Sequence, residues 1–202
     1  MTIINRLGFP GQRGYIMPKM KWVLTGAISI LLFGTAAFAQ NVHLKPPNSS
    51  PAFTDLDLNL RATGTLAGLG NGDVLVNLTA QANATATCSN PSGSVHQPPG
   101  QNPAPVTVSG SQAIPDSQIK NGTVSFRVTT NDPTTPIPGA PGCPNSSWTE
   151  DITDLSFTSA VIEVRQGAGT LPPVVLTVSC TFTPATKDGP VPSGTVSCTV
   201  NK

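Results

Sequence analysis

Charge is what this sequence has least of. Lys, Arg, Asp and Glu make up 10% of its 202 residues, against about 25% in an average soluble domain. The little charge present is uneven. Arg6, Arg13, Lys19 and Lys21 precede position 40, where no acid occurs, and the remainder carries seven bases against ten acids. A slightly acidic domain has no basic footprint for nucleic acid and no polybasic patch for an anionic membrane. Histidine is nearly missing: only His43 and His96 occur. Nucleophilic catalysis by Ser or Cys usually relies on a histidine base. His43 lies in a polar N-terminal segment and His96 in a Pro-rich loop, and the sequence Gly-x-Ser-x-Gly is absent. No CxxC pair exists, which removes the usual zinc framework. No glycine-rich turn leads into a helix with Lys-Ser or Lys-Thr, so no phosphate cradle is expected. Beyond residue 40 there is no Tyr, one Trp and four Phe, a poor stacking platform for sugars. No segment shows a sustained 3.6-residue apolar period, which argues against helices.

What is present begins with an export signal. Lys19 and Lys21 precede an apolar run from Trp22 to Phe33, followed by Ala37-Phe38-Ala39 and then Gln40. A positive start, an apolar middle and small residues before the cut make the tripartite secretory pattern. The run falls short of the roughly 20 apolar residues that span a bilayer. No Cys adjoins the cut, so no lipid anchor is expected. Residues 1–39 are therefore read as an N-terminal extension and cleavable signal, with no stable membrane anchor afterwards. Residues 1–16 fit neither a signal nor a domain, and Met17 or Met20 is the more ordinary start. Residues 40–52 are polar, contain Pro46, Pro47 and Pro51, and are expected to be flexible.

Residues 53–202 read as a single all-β domain. Leu56, Leu58 and Leu60 alternate with Asp57 and Asn59, which predicts a half-buried strand. Val74, Val76, Leu78, Ala80, Ala82, Ala84, Ala86 and Cys88 share one parity, and polar residues take most of the other. That predicts one long strand with an apolar face and a bend or bulge along it. Further strands are expected at Val106–Ala113, Thr123–Thr130, Trp148–Ile152, Phe157–Arg165, Val174–Thr183 and Thr195–Val200. Many alternating strands separated by turns among 19 glycines and 21 prolines predict an antiparallel β-sandwich of about seven to eight strands, Ig-like in architecture only.

The four cysteines, Cys88, Cys143, Cys180 and Cys198, all follow the cut. An even number in an exported chain reads as two disulfides, with three possible pairings. Cys180 and Cys198 are symmetric about Gly189, which favours a bond across a hairpin. Cys88 ends the long strand and Cys143 lies in a Gly/Pro loop, which favours the second pair. That pair would tie two long loops, Ser89–Pro105 and Asn131–Ser147, to one end of the sandwich. Loops of this length tend to be functional or disordered. Trp148, Asn90, Gln101 and Asn102 lie in or beside them and are the candidate binding residues, although Trp148 reads more readily as a core or loop-pinning residue than as a lone anchor.

Glu150, Asp151 and Asp154 cluster beside Trp148. Paired carboxylates can hydrolyse glycosides, but adjacent strand residues point to opposite faces. The same three residues, or Asp55 with Asp57, are the weak candidates for calcium ligands. No Asp-x-Asp-x-Asp-Gly loop occurs, and no metal or cofactor is expected. The triplets Asn-x-Ser/Thr at Asn48, Asn77, Asn83, Asn121 and Asn145 arise from composition and imply no modification.

Four stretches carry a resemblance. They are Asn83-Ala84-Thr85-Ala86-Thr87-Cys88-Ser89-Asn90-Pro91, Pro99–Pro103 with Val106-Thr107-Val108, Ile119–Gly122 with Val124-Ser125-Phe126, and Gly142–Asn145 before Trp148. Together they resemble uncharacterised small secreted bacterial β-sandwich proteins over roughly Asn77 to Ile152. The resemblance implies export, bacterial origin and a disulfide at Cys88, and it implies no activity. The expectation is a secreted, non-enzymatic domain that binds an extracellular macromolecule or acts at the cell envelope. The alternatives are a small hydrolase using Glu150, Asp151 or Asp154, and a carbohydrate- or calcium-binding accessory module.

Overall fold

The computed structural model describes residues 41–46, 50–96, 105–134, 137–138 and 143–202. Residues 1–39, read from the sequence as an extension and signal, Gln40, and the loop positions Gln101 and Asn102 lie outside the described residues. The strands are β1 (His43–Leu44), β2 (Ala52–Leu56), β3 (Asn59–Ala67), β4 (Val74–Ser89), β5 (Val95–His96), β6 (Val106–Ile114), β7 (Val124–Thr129), β8 (Ile137–Pro138), β9 (Thr149–Gln166), β10 (Val174–Phe182), β11 (Gly189–Pro190) and β12 (Val196–Asn201). Eight of them have five residues or more. The other four are two-residue pairings that finish an edge.

Two antiparallel sheets form a β-sandwich. The larger runs β12-β10-β9-β4-β6, with β5 extending the β6 side of β4 and β8 extending the β10 side of β9. In the smaller, β3 is flanked by β7 on one side and by β2 and β1 on the other, and β11 adds to β2. The inner faces supply a core of Val, Leu, Ile and Ala with four Phe. Phe53 and Phe182 meet edge to face across it, their centroids 5.0 Å apart. Ala80, Ala82 and Ala84 are buried on β4, and Ala82 lies opposite Phe157, a small residue beside a large one.

The long strand is real, and its bends are supplied by its partner. β9 carries two bulges against β4: Thr153 and Thr158 have no opposite residue in the ladder. Each extra threonine donates its hydroxyl to a β4 carbonyl, Thr153 Oγ1 to Thr85 at 3.1 Å and Thr158 Oγ1 to Gln81 at 3.2 Å. A bulge shifts the pleat by one residue. Buried positions accordingly change from Glu150 and Ile152, to Leu155 and Phe157, to Ala160, Ile162 and Val164. Those phase jumps make one 18-residue strand read as two in the sequence.

Two local expectations are corrected. Leu56, Leu58 and Leu60 do not lie on one strand. Leu56 pairs with Asn59, leaving Asp57 and Leu58 as a two-residue turn with Asp57 at φ 64°, the left-handed conformation that Asp tolerates better than most residues. Within the segment read as flexible, Val42 and Leu44 are buried, and β1 pairs with β3.

Both seams between the sheets are closed by hydrogen bonds. On one side β6 approaches the end of β7 so closely that a Cβ on Gly110 would lie 2.0 Å from the Thr129 carbonyl oxygen. Asn131 N–H donates to Ser109 O at 2.9 Å there. On the other, β10 leaves β9 after the Thr181–Ser159 pair, and buried backbone groups beyond that point need partners. Leu155 N–H donates to Asp57 O at 3.0 Å, Thr186 N–H donates to Phe157 O at 2.9 Å, and Phe157 N–H donates to Thr186 Oγ1 at 2.8 Å. This second seam brings the β2–β3 turn, β9 and the segment before β11 together.

Candidate functional site

The β2–β3, β4–β6, β7–β9 and β10–β12 connections all leave the same end of the sandwich. Both disulfides have the expected pairing. Cys180 and Cys198 face each other across β10 and β12, which keeps the hairpin symmetric about Gly189. Cys88–Cys143 joins the end of β4 to the β7–β9 loop with a Cα separation of 5.7 Å. The candidate binding residues that are described meet at this end. The Asn90 amide oxygen accepts from the N–H groups of Ser92 and Ser94 at 3.1 and 3.0 Å, so it holds its own turn. Trp148 is half-buried, with its N–H donating to Asn145 O at 3.1 Å.

The three acids beside Trp148 part company. Glu150 is buried on the core-facing parity opposite Cys88, and burial pushes its carboxyl up from the ordinary value. Asp151 takes the other face, where Ser89 Oγ donates to it at 3.4 Å. Asp154 lies beyond the Thr153 bulge, which moves it off the core-facing parity.

Asp154 instead joins acids from distant parts of the chain. One carboxylate oxygen each from Asp57, Asp154 and Asp188 lie within 4.8 Å of one another. Asp57 comes from the β2–β3 turn, Asp154 from β9 and Asp188 from the residue before β11. Asp55 stands behind them. It occupies a core-facing position on β2, is 2% exposed, and is paired in register with Gly189. Thr186 Oγ1 donates to its Oδ2, and its buried Oδ1 has no hydrogen-bond partner. Desolvation, followed by the charges of Asp154, Asp188 and Asp57, outweighs the Thr186 hydrogen bond and holds Asp55 at about 6. Partial desolvation and the charges of Asp57 and Asp154 also push Asp188 up.

Two groupings that the sequence suggested separately, Asp55 with Asp57 and Asp154 with its neighbours, thus contribute to one place. Asp188 was not among the candidates. Its only signal was the hairpin centred on Gly189, which brings Asp188 back beside β2. Such a set of oxygens can hold a hard cation or share protons.

A second concavity, a groove of about 500 Å³, lies along the smaller sheet and is lined by Lys45, Thr63, Thr65, Gln112, Ser125 and Arg127 among others. Arg127 N–H donates to Gln112 Oε1 at 2.7 Å within it. Its hydroxyl and cationic lining suits a polar or anionic surface group.

No protein-family model, curated protein or solved structure matches the chain.

Proposed function

We propose that the chain is exported and that its sandwich is a non-enzymatic module binding an extracellular macromolecule through the disulfide-closed loop end. The carrying observation is the Cys88–Cys143 bond, which fastens the β7–β9 loop to the end of β4 beside the β4–β6 loop. Loops held by a rigid scaffold are the usual seat of recognition. Two disulfides also suit a chain that works in an oxidising compartment, as the Lys19–Ala39 pattern requires. The partner is read as a component of the host's own envelope or surroundings, with no nucleic acid involved.

The test is binding of the labelled protein to isolated envelope of its host. Ser92 and Ser146 are exposed, one on each loop. Ser92→Arg and Ser146→Arg are expected to weaken binding about tenfold or more, while leaving the melting temperature in place because exposed substitutions rarely exceed about 0.5 kcal/mol. No binding by the unsubstituted protein, or undiminished binding by both variants, overturns the reading.

A further inference from the structure

We propose that Asp57, Asp154 and Asp188, with the buried Asp55 behind them, form a binding site for a hard divalent cation of calcium's size. The inference rests on the fold alone and stands or falls separately from the binding-module reading.

Three independent features point to it. The first is spacing. Calcium takes oxygen ligands at about 2.3–2.6 Å, so ligands on opposite sides of one ion are about 4.6–5.2 Å apart. The oxygens of Asp57, Asp154 and Asp188 fall within 4.8 Å of one another, which one such ion can span. Magnesium keeps several waters and is usually bound through one or two carboxylates, whereas calcium accepts several, so a set of three carboxylates suits calcium.

The second is charge. The only ion pair among the described residues joins Arg165 and Glu163, on another part of β9. The four aspartates are therefore gathered without a Lys or Arg within ion-pair distance. Like charges at such separation repel by about 1 kcal/mol per pair in water and more where water is partly excluded. A chain with ten acids in all places four of them here.

The third is Asp55. Burying a carboxylate oxygen without a partner is costly, yet Oδ1 of Asp55 is buried and unpartnered while Oδ2 is held by Thr186. That oxygen belongs to a side chain on which the charges of all three other aspartates act. A cation held by Asp57, Asp154 and Asp188 cancels their mutual repulsion and offsets their charge on the buried Asp55 carboxyl. Asp57 and Asp188 are exposed and Asp154 is half-buried, so an ion has a path from solvent.

The experiment is thermal unfolding and titration calorimetry of the purified, EDTA-treated protein at pH 7, with calcium chloride and then magnesium chloride. With affinity in the range of extracellular calcium modules, about 10 mM calcium raises the melting temperature by about 5 °C or more. Asp57→Asn/Asp188→Asn loses the shift and the binding heat. In EDTA the same variant melts at or above the unsubstituted protein, because repulsion is relieved, which shows that it folds. No shift and no heat in the unsubstituted protein, or an undiminished shift in the variant, overturns the site. An equal response to magnesium overturns the assignment to calcium.

Discussion

Asp55 shows what a single side chain costs and offers in this fold. It sits where β2 turns its inner face to the core, a position that Phe53 fills two residues earlier. The hydroxyl of Thr186 holds one oxygen, and the other faces burial without a partner. In the metal-free protein its carboxyl is held at about 6, above the ordinary 3.8. The folded chain therefore binds more protons than the unfolded chain between those two values. Stability is fully present below about pH 4, falls as the pH rises through about 6, and is level above that. Asp188 and Glu150, also raised, act in the same direction. In EDTA, lowering the pH from 7 to 5 is thus expected to raise the melting temperature, the Asp55 share over that interval being at most about 1.4 kcal/mol. Asp55→Asn, which keeps an acceptor for Thr186, should flatten that rise. A melting temperature that falls over the same interval contradicts the burial argument. None of this was legible in the sequence, because Asp55 and Thr186 are separated by 131 positions. Only alternation with Phe53 hinted that the acid faced inward.

At the level of elements, β9 carries the most information. Its apolar alternation is strong in each of three segments, and the two threonine bulges between them decide which side chains face the core. Pattern reading finds the first and last segments, misses the short one at Leu155, and loses the continuous strand, since a period of two cannot be followed across an inserted residue. The opposite strand, β4, has no such interruption and was legible from Val74 to Cys88 in full. The cysteine pairs were legible for a related reason: one lies at mirrored positions on a hairpin, and the other joins a strand end to the loop that must pass it. The turn at Asp57 was not, because Leu56, Leu58 and Leu60 keep the alternation of a strand through a two-residue reversal. The bulge at Thr153 also delivers Asp154 to the acidic cluster, so its removal tests an element and a site together. Deleting Thr153 forces either Asp154 inward or Glu150 and Ile152 outward. The deletion is expected to lower the melting temperature by more than about 10 °C. Thr153→Ala keeps the extra residue and loses one hydroxyl bond worth about 1 kcal/mol, a change of about 2–4 °C. Equal stability of the two variants contradicts the role given to the bulge.

The whole molecule combines a weakly charged sandwich, sealed at both seams, with one end where four connections converge. The core is built mostly from small and medium aliphatic residues, and the two disulfides close segments of 55 and 18 residues. In the chain-entropy model these closures are worth about 4 and 3 kcal/mol, a large share of the roughly 5–15 kcal/mol by which a domain is stable. Two structural disulfides are typical of proteins outside the cell, where thiols stay oxidised, and the Lys19–Ala39 pattern reads in the same direction. The central proposal is that the protein works outside the cell with both bonds formed. Intact mass spectrometry of the protein from its host's culture medium, with and without reduction and alkylation, tests it most directly. The account predicts a chain beginning at Gln40 or its cyclised form, four hydrogens lighter than the reduced chain because Cys88–Cys143 and Cys180–Cys198 are closed. A mass that retains residues 1–39, or free thiols at the four cysteines, contradicts it.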